Sequence, residues 1–117
     1  MRPLCFLAFV GIVACDGGLD DGPVDFGDDY AVLQTPSVEG DRLQVRVQYA
    51  GGCAEHGFSA RARASGEEAE VWAVHDANGD LCEALLSETL DLPLPPAAAD
   101  APRLRLRTPG GAVVDLR

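Results

Sequence analysis

The sequence has no lysine. Its nine basic residues are all arginines, set against nineteen acidic residues, for a net charge of −10. That balance lacks the basic footprint of a nucleic-acid-binding protein and gives no electrostatic attraction to an anionic lipid surface. What an acidic balance provides is solubility. There is also no apolar run long enough to span a bilayer, since the stretch from Leu4 to Ala14 falls well short of the roughly 20 residues that a membrane helix requires. No internal repeat occurs, and no segment carries a convincing helical period. What remains after residue 29 suffices for one compact domain and no more.

The short apolar run is informative in its setting. MRPLCFLAFVGIVA carries one positive charge at Arg2, then the apolar stretch, then Cys15 directly after the small residue Ala14. A charged start, an apolar centre and a small residue at the end make residues 1–14 a signal peptide. Ile12-Val13-Ala14-Cys15 resembles the lipobox of bacterial lipoproteins, in which the cysteine receives a diacylglyceryl group and becomes the mature N-terminus. The resemblance implies lipidation at Cys15 and a lipid-anchored protein of the bacterial cell envelope, on the periplasmic or the outer surface. Each buried methylene contributes about 0.8 kcal/mol, so several acyl chains give lasting attachment to the bilayer. Losing Arg2 with the leader leaves eight arginines against nineteen acids, a net charge of −11.

Residues 15–29 follow as CDGGLDDGPVDFGDD, with six aspartates, four glycines and no basic residue. Like charges at this density and few apolar side chains cannot offset the entropy of ordering, so the segment is expected to be an acidic flexible tether. It lacks the spacing and the closing glutamate of a calcium loop.

From residue 30 the pattern is that of strands. Leu43, Val45, Val47 and Tyr49 alternate with Arg42, Gln44, Arg46 and Gln48, the period of a half-buried strand. Phe58, Ala60, Ala62 and Ala64 repeat the alternation, and a turn at residues 65–68 leads to another strand over residues 69–75. Asn78-Gly79 supplies the positive φ of a tight turn. A strand or two over residues 81–92 ends at Pro93, and RLRLR faces AVVDLR across TPGG as a closing hairpin. With residues 30–34 this makes about seven strands, so residues 30–117 are expected to form an all-β domain, a small antiparallel β-sandwich, with a partly open barrel as the alternative.

Once Cys5 leaves with the leader and Cys15 is lipidated, Cys53 and Cys82 are the two cysteines of the domain. An even pair in an exported chain points to a disulfide, each cysteine lying at a strand end on the same side of the sandwich. The loop it closes corresponds to about 3.6 kcal/mol in the chain-entropy treatment. A second reading uses the same residues as ligands. Cys53, His56, His75 and Cys82 form a zinc set by ligand type, and a hybrid leaves the histidines with Asp76 or Asp80 to hold zinc or copper beside a disulfide. Asp76, Asn78 and Asp80 also open like a calcium loop, but Leu81 stands where glycine is needed and Ser87 where the bidentate glutamate is needed. A hydrolase built on His75 and Asp76 lacks a nameable nucleophile or oxyanion donor.

GGCAEHGF, VHDANGDLCEA and LRLRTPGGAVVDL together resemble a group of small exported bacterial proteins, many of them lipoproteins, that share GGCxxHxF and HDxxxDxCEA segments. The similarity covers roughly residues 42 to 117 and brings no assigned activity. It implies that Cys53, His56, Phe58, His75, Asp76, Asp80, Cys82 and Glu83 occupy motif positions, as a structural cluster or a site. The expectation is therefore a non-enzymatic, lipid-anchored binding or structural module without a cofactor. Its partners would be the bilayer, through acylated Cys15, and an envelope protein or ligand, not nucleic acid. The alternative is a metal-binding envelope protein.

Overall fold

The computed structural model describes residues 23–117. The leader, Cys15 and the first part of the acidic segment lie outside the described residues. Seven strands form two sheets: β1 (Ala31–Glu39), β2 (Arg42–Gly51), β3 (Gly57–Ser65), β4 (Glu68–Asp76), β5 (Ala84–Pro93), β6 (Arg103–Arg107) and β7 (Val113–Asp115). One sheet has the order β1-β2-β5 and the other β3-β4-β6-β7. The two sheets face each other as a sandwich and do not close into a barrel.

The alternation of β2 has the outcome its period requires. Leu43, Val45, Val47 and Tyr49 are buried, and the arginines and glutamines between them face outward. On β4 the inward set is Ala69, Val71, Ala73 and His75, so a histidine takes the last core-facing position of a strand that is otherwise apolar on that side. Leu104 and Leu106 of β6 complete the opposing layer. A one-turn helix, α1 (Pro96–Ala99), lies in the proline-rich connection between β5 and β6 and buries Ala98 in the core. Among the described residues no helix is long and apolar enough to cross a membrane.

Three features of the topology have no counterpart in the local pattern. The turn at Asn78-Gly79 has the positive φ it needs, 55° and 72°, yet it does not join two paired strands. β4 pairs with β3 and β6, while β5 pairs with β2 across the full length of both. β4 and β6 are parallel, an exception to the otherwise antiparallel pairing.

The third feature concerns the acidic segment. Residues expected to belong to the tether are built into the fold: Gly27 forms a parallel bridge with His75, and Phe26 packs on the core. The His75 N–H donates to the Phe26 carbonyl at 2.9 Å and the Asp28 N–H to the His75 carbonyl at 2.8 Å. This short arm occupies the edge of β4 beyond the last β6 pair, Val71 with Leu106. Gly27 is required there, because its φ is +75° and a Cβ would lie 2.2 Å from the His75 carbonyl oxygen. The folded unit therefore reaches back past Tyr30, whose hydroxyl donates to the Ala73 carbonyl at 2.6 Å. Burial pushes that phenol well above its ordinary pKa, and the backbone hydrogen bond opposes the shift only in part.

Leu106 is 1% exposed and Leu85 is 71% exposed. Leu106→Ala is expected to cost about 2–5 kcal/mol, lowering the urea midpoint with an unchanged slope. Leu85→Ala is expected to stay within about 0.5 kcal/mol.

Candidate functional site: an Asp–His–His chain beside the disulfide

Both connections that carry the chain between the sheets at this end of the sandwich, residues 52–56 and 77–83, come together. Cys53 and Cys82 are disulfide-bonded, with Cα atoms 5.8 Å apart, inside the range that a bridge requires. The last β2–β5 pair is Gly51 with Ala84, so the two cysteines stand two residues further along the same register. The bond continues the ladder covalently after its hydrogen bonds end.

Asp80 lies beside the disulfide. Its Oδ2 accepts the backbone N–H groups of Gly52, Cys53 and Ala54 at 2.9, 3.1 and 3.1 Å, and its Oδ1 accepts that of Cys82 at 3.0 Å. Three successive N–H groups turned to one point make an anion nest, and here the chain fills the nest with its own carboxylate. Oδ2 also faces His56 Nε2 at 2.8 Å, and neither side chain is open to solvent. The His56 hydrogen bond, followed by those from Cys82, Cys53 and Ala54, holds Asp80 well below the usual carboxylate range against the opposing cost of burial. Gly51 makes room for the pair, since a Cβ there would lie 2.5 Å from His56 Nε2 and 2.9 Å from Asp80 Oδ2.

The chain continues inward. His56 Nδ1 and His75 Nε2 are 2.7 Å apart while the ring centroids are 5.0 Å apart, so the rings meet edge to edge through a hydrogen bond rather than stacking. His75 Nδ1 faces the Asp29 carbonyl at 3.0 Å and the Asp28 carbonyl at 3.3 Å. Aromatic faces cover the histidines: Tyr49 lies on His56 at 4.6 Å, Phe58 on His75 at 4.4 Å with planes 1° apart, and Tyr30 meets His75 edge-on. The Tyr49 hydroxyl donates to Glu88, and that bond pushes its pKa up to about 12, with burial adding to the shift.

The partners limit which ring nitrogens donate. A carbonyl only accepts, so His75 Nδ1 carries hydrogen; an ionised carboxylate only accepts, so His56 Nε2 carries hydrogen. The bond between the rings takes its hydrogen from either imidazole.

Of the residues expected to form a site, the structure brings together Cys53, Cys82, His56, His75, Phe58 and Asp80. It leaves Asp76 exposed, with Oδ1 accepting the Asn78 N–H at 2.9 Å, and Glu83 exposed. The expected zinc set is not assembled, because all four imidazole nitrogens bond to Asp80, to each other or to the arm. The Sγ atoms of Cys53 and Cys82 and a carboxylate oxygen of Asp80 do lie within 4.8 Å of one another. The sulfurs there are bonded to each other, and the carboxylate is already occupied by five donors. Tyr49, Gly51 and the Asp28 and Asp29 carbonyls were missed as members of the cluster. The Gly-Gly doublet and the inward period of β2 signal the first two, while nothing in the aspartate run singles out residues 28 and 29.

The fold and the cluster define a small disulfide-bonded β-sandwich with a buried polar staple at one end. The chain matches no protein-family model, no curated protein and no solved structure.

The low carboxyl pKa of Asp80 stabilises the fold above the ordinary Asp value of about 3.9, and that contribution is lost as pH falls from there through the lower folded value. Asp80→Asn is expected to lower Tm more than Asp76→Asn or Asp91→Asn does, and to flatten the fall in Tm below pH 4; thermal scans at pH 7 and pH 3 check both.

Proposed function

We propose that this protein is a membrane-anchored bacterial lipoprotein whose β-sandwich is a non-enzymatic binding or structural module of the cell envelope, attached through acylated Cys15. The observation that carries the non-enzymatic part is the closure of the Asp–His–His chain. A carboxylate orienting a histidine is half of a nucleophilic site, but the nitrogen that would face a nucleophile is bonded instead to His75. His75 in turn ends on a backbone carbonyl. The cluster's hydrogen-bonding capacity goes into joining the β2–β3 connection, the β4–β5 connection and the arm before β1.

The envelope assignment rests on the leader, the lipobox-like IVAC and the acidic segment after it, and it agrees with a disulfide, which persists in oxidising compartments. On this reading the module works close to the membrane, and its partner is another envelope component.

Expressed with its own leader in a bacterial host, the wild-type chain is expected to sediment with membranes and enter the detergent phase, and Cys15→Ala to appear in the soluble periplasmic fraction. Cys15→Ala protein that still sediments with membranes contradicts the anchor.

A further inference from the structure

Net charge opposes the approach of this molecule to an anionic bilayer, but the charge is not spread evenly. The alternation that buries Ala69, Val71, Ala73, Leu104 and Leu106 turns Glu68, Glu70 and Trp72 of β4 and Arg103, Arg105 and Arg107 of β6 to the outer face of the four-stranded sheet. Arg61 and Arg63 of β3 join them there, paired with Trp72 and Glu70, as does Asp115 of β7, paired with Arg105. This face therefore holds five arginines against three acidic residues. Outside it the described residues hold three arginines, Arg42, Arg46 and Arg117, against thirteen aspartates and glutamates.

The carboxylates of the face hold its cations in place. Glu70 Oε1 accepts from Arg63 Nε at 2.9 Å and from Arg107 Nη1 at 3.3 Å, and Glu68 accepts from Arg105 Nη2 at 2.7 Å and from Arg103 Nη1 at 3.3 Å. Two acids thus position four guanidiniums while neutralising only two. A guanidinium has five N–H donors in a fork that matches phosphate oxygens, and Arg103, Arg105 and Arg107 each give one of theirs to a glutamate of the face. Apolar surface lies between the arginines: Trp72, with the Arg63 guanidinium 5.7 Å over its ring, and Val113, 48% exposed and paired with Arg107. Arginine interleaved with tryptophan and aliphatic side chains suits a headgroup layer, where the cations reach phosphate and the apolar bodies reach the acyl boundary.

We propose that this face docks on the anionic phospholipid headgroups of the bilayer that carries the anchor, so that the domain lies with its four-stranded sheet against the membrane and its acidic remainder turned away. The inference rests on the membrane-anchored reading above. Anchoring keeps the face at a high effective concentration of lipid, so the contact orients the domain and need not recruit it. An anionic plane acts on charges within about a Debye length, roughly 8 Å at physiological salt, and therefore senses the near face before the rest of the molecule. The reverse orientation would bring the acidic remainder into that range.

Trp72 is the single tryptophan of the chain, so its fluorescence reports on this face alone. The chain from Cys15 onward, with Cys53 and Cys82 bonded, is coupled through the Cys15 thiol to a maleimide lipid, which makes the test independent of lipidation in the cell. The vesicles are phosphatidylcholine alone or an equal mixture with phosphatidylglycerol, each carrying a headgroup nitroxide quencher. At low salt, Trp72 emission is expected to be quenched about threefold more on the mixed vesicles, and to return to the phosphatidylcholine level at about 0.5 M salt. Arg61→Glu with Arg103→Glu, both at exposed positions, is expected to abolish the difference. Arg42→Glu with Arg46→Glu, the same charge change on the other sheet, is expected to retain it. Equal quenching on the two kinds of vesicle, or equal loss in the two double variants, overturns the docking face. A chain that shows the quenching difference but fails the fractionation test above keeps the docking face and loses the anchor.

Discussion

One carboxylate holds together the place where the chain twice changes sheets. β2 belongs to the three-stranded sheet and β3 to the four-stranded one; β4 returns the chain to the first sheet at β5. Both crossings occur at the same end, and Asp80, in the second, collects three N–H groups and an imidazole from the first. Without that anion the nest of Gly52, Cys53 and Ala54 would leave three converging donors without their shared acceptor. The disulfide secures the same junction in a different way. It limits the unfolded chain, whereas the carboxylate satisfies the folded one, and the two act on adjacent residues.

The polar cluster also explains why a histidine sits at a core position of β4. His75 sits in a layer formed by Val71, Ala73, Tyr49 and Phe58, and each of its nitrogens has a partner. A buried polar group is tolerated when its hydrogen bonds are complete and is destabilising when they are not. Completeness here depends on the arm at residues 26–29, which lends the final acceptor and the bridge to β4. The acidic composition of that arm therefore misleads: its backbone is structural even though its side chains suit a tether. The arm and the polar staple share one strand edge.

The sandwich itself was legible because its strands alternate cleanly. Leu43 to Tyr49 and Ala69 to His75 announce one buried face each, and the cysteines announce a bridge. The pairing partners were not legible, since the Asn78-Gly79 turn has the residues of a hairpin and instead feeds a crossing to the other sheet. Local turn chemistry sets φ without deciding which edge the next strand meets. In the site, the residue types pointed first to a disulfide and second to a zinc set. What separated the two was the direction of each nitrogen, a three-dimensional fact that spacing does not encode. Asp80 is the clearest case, for in sequence it is one of three aligned polar residues, and in the fold it alone turns inward.

The most direct test of this account is the intact mass of the exported chain, measured under native and denaturing conditions. A domain stapled as described has a mass lower than the all-thiol value by the pair of hydrogens lost in forming the Cys53–Cys82 bond, and carries no metal. Two free thiols together with one retained metal ion would contradict it, and would make Cys53, Asp80 and Cys82 a binding site instead of a staple.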